Sequence, residues 1–155
     1  MFLTVHSTVG VIIGQTTGNI WLAFLIGFVS HFLLDIIPHG DENLIEEKNK
    51  FKPSETSTII KLGIADGTVM IFFLLALYLG GLITTPLAVL FAVFGTILPD
   101  FIQGIYILTK TPLLEKYFSI HYDLHRILGV SVSLKKGLVI QTFFLVISLI
   151  LLFNL

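Results

Sequence analysis

An all-α membrane helical bundle, with about five transmembrane helices and one interfacial amphipathic helix, is the fold this sequence predicts, on three observations. Hydrophobic residues make up 55% of the 155-residue chain and charged residues only 12%. The mean hydropathy of +0.96 is far above that of a soluble domain of this length. Five apolar stretches, near 2–18, 20–38, 59–80, 84–109 and 134–154, cross or nearly cross a hydrocarbon core of about 30 Å, which takes roughly 20 helical residues. The length suits a single integral membrane domain over residues 1–155. A net charge of −1 offers no field for nucleic acid, and zero cysteines exclude disulfides and thiolate metal sites. The segment MFLTVHSTVG lacks the basic region of a cleaved signal, so the first apolar stretch is expected in the mature protein.

The first stretch carries Gly10, Gly14 and Gly18 at four-residue spacing. That lowers helix propensity but offers a smooth face for close helix contact in lipid, so it is expected to be a buried packing helix. A short TTGN link makes it an antiparallel hairpin with the second stretch. Pro38 cannot continue that second helix, and it biases Ile37 away from helical angles. Residues 41–57, DENLIEEKNKFKPSETS, are mixed in sign and must lie in water; Glu46 and Glu47, like Asp123 further on, belong to a solvated face. The third stretch holds Asp66 between Gly63 and Gly67, and the fourth holds Asp100 directly after Pro99. In the 110–134 loop, Leu114, Tyr117, Phe118, His121, Leu124, His125 and Leu128 follow helical spacing on one face. Such a helix lies at the membrane interface and turns both histidines toward the bundle.

Counting crossings puts the 39–58 and 110–134 loops and the N-terminus on one side, and all nine Lys and Arg fall on or next to that side. The positive-inside rule makes it cytoplasmic, in a multi-pass protein of the cell inner membrane. At about 1.5 Å per residue, His6, His31, Asp35, Asp66 and Asp100 all come out roughly 17–23 Å from the far surface. Ionisable residues inside a membrane are costly and generally have partners. Five of them at a common depth on four helices point to a shared one, a metal.

His31 and Asp35 are one turn apart on one helix face, and His121 and His125 have a spacing familiar from helical zinc sites. The metal candidates are therefore His6, His31, Asp35, Asp66, Asp100, His121 and His125, with His39 and Asp41 read as solvent or outer groups. Seven candidates exceed the four ligands of one tetrahedral zinc, so two ions, or one ion with outer partners, both stay open. Nitrogen and oxygen donors suit a divalent metal, zinc first, with manganese or iron as alternatives. The matching chemistry is hydrolysis of a lipid-borne or membrane-proximal ester, with a phosphoester first. Asp35 or Asp100 would act as general base and Arg126 would meet a phosphate. Membrane lipid is the expected partner; homo-oligomerisation stays open.

The N-terminal His6 with Gly10, the helix ending HFLLDIIPH, the LPD at Leu98 to Asp100 and the segment HYDLHRILGVS together resemble a family of small inner-membrane metal-dependent hydrolases described as LexA-binding or LexA-regulated. The resemblance spans most of the chain and implies roles for His6, Asp100, His125 with Arg126, and Ser131. The order departs from that pattern in one respect, since LPD follows the His/Asp helix here, and Gly129, Val130 and Ser131 replace its small-residue His-Ser ending. The two histidine spacings are also similar to those of zinc-dependent phospholipases C. Two other classes compete: a metal-ion or proton transporter, and a noncatalytic membrane adaptor with a structural metal. The first requires a polar path through the far half, the second a closed, fully ligated ion.

Overall fold

The computed structural model describes residues 1–41, 44 and 52–155, and in them the chain is helical with no strands. The elements are α1 (Leu3–Thr17), α2 (Ile20–Asp35), α3 (Pro53–Leu79), α4 (Pro86–Thr109), α5 (Pro112–Leu124) and α6 (Leu134–Leu152). The expected solvated acids Glu46 and Glu47 lie outside the described residues.

Three helices, α3, α4 and α6, are long and apolar enough to cross a membrane, fewer than the five expected. The correction concerns α1 and α2. They have 15 and 16 residues, about 23 Å of helix at 1.5 Å per residue against a core of about 30 Å. Local chemistry stops both. Gly18 caps α1 in the left-handed conformation (φ 61°), and the Asn19 side chain accepts the Trp21 and Leu22 N–H groups, each at 3.0 Å, to start α2. At the other end the restriction imposed by Pro38 ends α2 at Asp35. By contrast α3 begins earlier than its apolar run, because Pro53 occupies the first turn and Glu55 accepts the Lys52 N–H at 2.8 Å.

α4 is the central helix, packed along both arms of the α1–α2 hairpin. Glycine permits the close approach from both partners. A Cβ on Gly10 would come within 2.9 Å of the Val93 Cα, and one on Gly14 would overlap the Val89 backbone. On the α2 side, Gly27 lies against the Ala92 backbone and Gly95 against that of Phe24 and Phe28. Gly18, the third residue of the expected stripe, instead faces open space. Val11, Val89, Val93 and Ile97 form the apolar core with Met70, Leu77 and Leu152 from α3 and α6.

The outward faces are apolar as well. Leu79 is 75% exposed, Val139 71% and Phe72 67%, a continuous surface that water would not tolerate but hydrocarbon does. α5 packs beside the end of α4 through stacked Tyr106 and Phe118, 4.7 Å between centroids, and its buried side presents Phe118 and His121. Leu128, expected on the same face, is 56% exposed because the helix ends at Leu124.

Candidate metal centre

The start of α1, the end of α2, the Pro99 region of α4 and the end of α5 meet at one level, and the imidazoles converge there. The chain has five histidines, and the Nε2 atom of every one lies within 4.0 Å of the Asp35 carboxylate. Oδ2 faces His31 at 2.9 Å, His125 at 3.2 Å and His121 at 3.4 Å. Oδ1 faces His6 at 3.1 Å and His39 at 4.0 Å, and it accepts from the Met1 ammonium at 2.7 Å. Asp100 reaches the same group, with Oδ1 3.8 Å from His31 Nε2. His6, His31, Asp35, His39 and His121 are fully buried. Asp100 remains 24% exposed and Asp41 17%.

Two donor sets can each hold a cation: His31, Asp35, Asp100 and His121; and Asp35, His39 and His125. The spacing fits one. His31 Nε2 lies 3.1 Å from His121 Nε2, which lies 3.2 Å from His125 Nε2. Ligand atoms around a tetrahedral ion with bonds of about 2.0–2.1 Å are about 3.3–3.4 Å apart. The tautomers fit too. His31 Nδ1–H donates to the Thr96 carbonyl at 2.7 Å and His39 Nδ1–H to the Ile37 carbonyl at 2.7 Å, which leaves both Nε2 lone pairs directed inward, the usual arrangement behind a ligating histidine. Facing imidazole lone pairs repel each other unless a proton or a cation lies between them. The Nδ1 atoms of His6, His121 and His125 are buried without a hydrogen-bond partner, so these three rings are oriented by packing; His6 stacks on His31 at 4.3 Å.

At His39 and His121 the electrostatics agree with neutral ligands. Burial, aided by the neighbouring Met1 ammonium, pulls the His39 imidazole down to about 3, and burial also lowers His121. Burial raises the Asp41 carboxyl. Tyr117, raised by burial and then by Asp100 and Asp35, stays protonated and donates its hydroxyl to the Pro99 carbonyl at 3.0 Å, which ties α5 to α4 beside Asp100.

Of the residues singled out by sequence, the structure brings together His6, His31, Asp35, Asp100, His121 and His125, with His6 touching Asp35 but lying outside both donor sets. Asp66 is placed elsewhere. Its carboxylate accepts the Leu3 N–H and, at 2.6 Å, the Thr4 hydroxyl, so α3 supplies the N-terminal cap that α1 lacks in its own sequence. Arg126 is exposed in the turn after α5, with its guanidinium 4.6 Å over the Tyr122 ring. His39, read from sequence as an outer group, enters a donor set. The sequence signal for it is Pro38, which ends the helix and frees His39 to turn back over the site. Comparison of the chain with protein-family models, with curated proteins and with solved structures gives no match.

Proposed function

We propose that the protein is a membrane-embedded, metal-dependent hydrolase of a lipid-borne or membrane-proximal ester, a phosphoester first among these, with its centre toward the cytoplasmic side of the inner membrane. The observation that carries this reading is the convergence of all five imidazole Nε2 atoms on the Asp35 carboxylate, beside an Asp100 that keeps an exposed edge. A zinc ion, or manganese or iron in its place, would acidify a water at neutral pH and polarise the ester oxygen. His31, Asp35, Asp100 and His121 are the residues that would hold it. Asp35 has both oxygens occupied by imidazoles and the ammonium, so it fixes the histidines rather than moving a proton. Asp100, partly exposed at the rim, is the carboxylate placed to accept a proton at its remaining oxygen. Arg126, exposed one residue beyond His125, offers the cation for an anionic headgroup. The resemblance to inner-membrane metal-dependent hydrolases points the same way.

A specific observation weighs against a transporter. The polar groups of the far half are consumed locally: Gln15 Oε1 accepts the Thr84 N–H and hydroxyl, both at 2.8 Å, and its Nε2 donates to the Leu82 carbonyl at 2.6 Å. The Thr16 and Thr17 hydroxyls donate to carbonyls of their own helix, and Asn19 caps α2. Nothing among them is left to pass an ion onward. A purely structural ion would want a closed shell, whereas Asp100 and Asp41 keep open edges. The test is elemental analysis of the purified protein followed by metal-dependent headgroup release from a panel of phospholipids, with Asp35→Ala and His31→Ala as controls. Release by the wild type alone is expected; equal release by both variants overturns the assignment.

A further inference from the structure

α6 contributes no candidate ligand, yet it grips the turn that carries one. Gln141, 2% exposed in an otherwise apolar helix, donates through Nε2 to the His39 carbonyl at 2.9 Å and accepts the Phe2 N–H through Oε1 at 2.7 Å. A buried amide in lipid is costly unless both ends are used, and here each end ties down a segment that lines the centre. One turn earlier on α6, a Cβ on Gly137 would collide with the His39 carbonyl. Gly40 answers from the other side, with φ 91° and a position where a Cβ would come within 2.9 Å of the Leu134 Cα. Backbone approach and a buried amide thus fix the same residue, His39.

What His39 faces is a place that already accepts positive charge. The Met1 ammonium lies 2.6 Å from His39 Nε2, 2.7 Å from Asp35 Oδ1 and 3.5 Å from Asp41 Oδ2. The other oxygen of Asp35 faces His31, His121 and His125. One carboxylate therefore presents one oxygen to each of two neighbouring positions, with His125 set between them, 3.2 Å from Oδ2 yet in one donor set with His39, the disposition of a bridging ligand in two-metal sites, whose ions lie about 3.5–4 Å apart. We propose that the centre holds two cations bridged by Asp35, the second completed by His39 and His125 in place of the Met1 ammonium, with Gln141 the positioning residue for that second ion. This rests on the metal reading above. With three protein donors, the second position is the one with room for substrate.

The experiment uses the full chain in detergent, stripped with chelator and titrated with cobalt(II), read by visible absorption and by bound metal per protein. The wild type should bind two equivalents and His39→Ala one. Gln141→Met, which keeps length and volume but loses the hydrogen bonds to Phe2, His39 and Asp41, should hold the first ion as before and the second about 10–100-fold more weakly, with elution and melting behaviour as the check on folding. If Gln141→Met does not give monodisperse protein, Gln141→Glu reads the same comparison, since it keeps the acceptor for Phe2 and removes the amide donor to His39. A single equivalent in the wild type overturns the second site and leaves the proposed function standing; no bound ion at all overturns both. Two equivalents in His39→Ala overturn the ligand set, and unchanged second-site affinity in both Gln141 variants overturns the positioning role.

Discussion

Removing the Asp66 carboxylate separates a helix cap from a metal ligand, because the two roles predict losses in different quantities. In the structure the carboxylate accepts the Leu3 N–H and the Thr4 hydroxyl, with the Thr4 N–H more distant at 3.4 Å. A hydrogen bond to a charged group contributes about 1.5–3 kcal/mol. Asp66 is only half-buried, so Asp66→Ala, which loses both strong bonds, should cost about 2–4 kcal/mol rather than the full sum. At about 2–4 °C per kcal/mol for a chain of this size, that is a fall of roughly 4–16 °C in melting temperature. Asp66→Asn should cost less, since an amide oxygen still accepts one N–H at a helix start. The assay is thermal unfolding in detergent alongside metal content at saturating ion. We expect lowered stability with metal content unchanged in Asp66→Ala. Unchanged melting combined with the loss of one ion would show that Asp66 is a ligand and that the capping argument is wrong.

Asp35→Ala should abolish ion binding, measured as metal per protein after dialysis, because it withdraws the one group that all five imidazoles share. Chelation should destabilise the wild type by about 4 kcal/mol when the ion had been present at a thousandfold its Kd, and should leave the melting of Asp35→Ala unmoved. Gly14→Val drives a side chain into the Val89 backbone and should cost about 1–3 kcal/mol as overpacking. Gly18→Ala meets open space but must adopt φ 61°, at about 1–2 kcal/mol; denaturant unfolding of the pair should also show that only Gly14→Val alters metal affinity, by parting α1 from α4.

Local pattern carried most of the architecture and much of the centre. The apolar runs, the Gly18 and Pro38 stops, and the helical spacings of His31 with Asp35 and His121 with His125 are all statements about residues within a turn or two of each other, and the structure keeps each. What escaped depends on distant partners. Asp66 shares the expected depth of the candidate ligands, but its hydrogen bonds go to the start of α1, and nothing near Asp66 in sequence announces a helix without a cap 62 residues away. Pro38 lets His39 turn back toward the site, but that it reaches a donor set depends on the approach of Gly137 and Gln141 from α6, which nothing near His39 in sequence announces. The count of spanning helices failed for a local reason: the stops at Gly18, Asn19 and Pro38 cut the two apolar runs to helices of 15 and 16 residues, so apolarity along the run did not amount to a helix of spanning length.

The shortness of that hairpin and the chemistry of the centre are one physical problem. A helix of about 23 Å is shorter than a hydrocarbon layer of about 30 Å, and at the end of one such helix Asp35 is fully buried. A carboxylate in such a place persists as an anion only with a positive partner, since desolvation costs several kcal/mol per charge. The ion pairs of Asp35 among the described residues are with the Met1 ammonium and with histidines, and neutral imidazoles bring dipoles but no charge. Protonating several of them would set like charges about 3 Å apart, a worse arrangement than the one it relieves. The Met1 ammonium supplies a positive charge at one oxygen only; a divalent ion beside the other would accept the lone pairs that the imidazoles direct inward without setting like charges together.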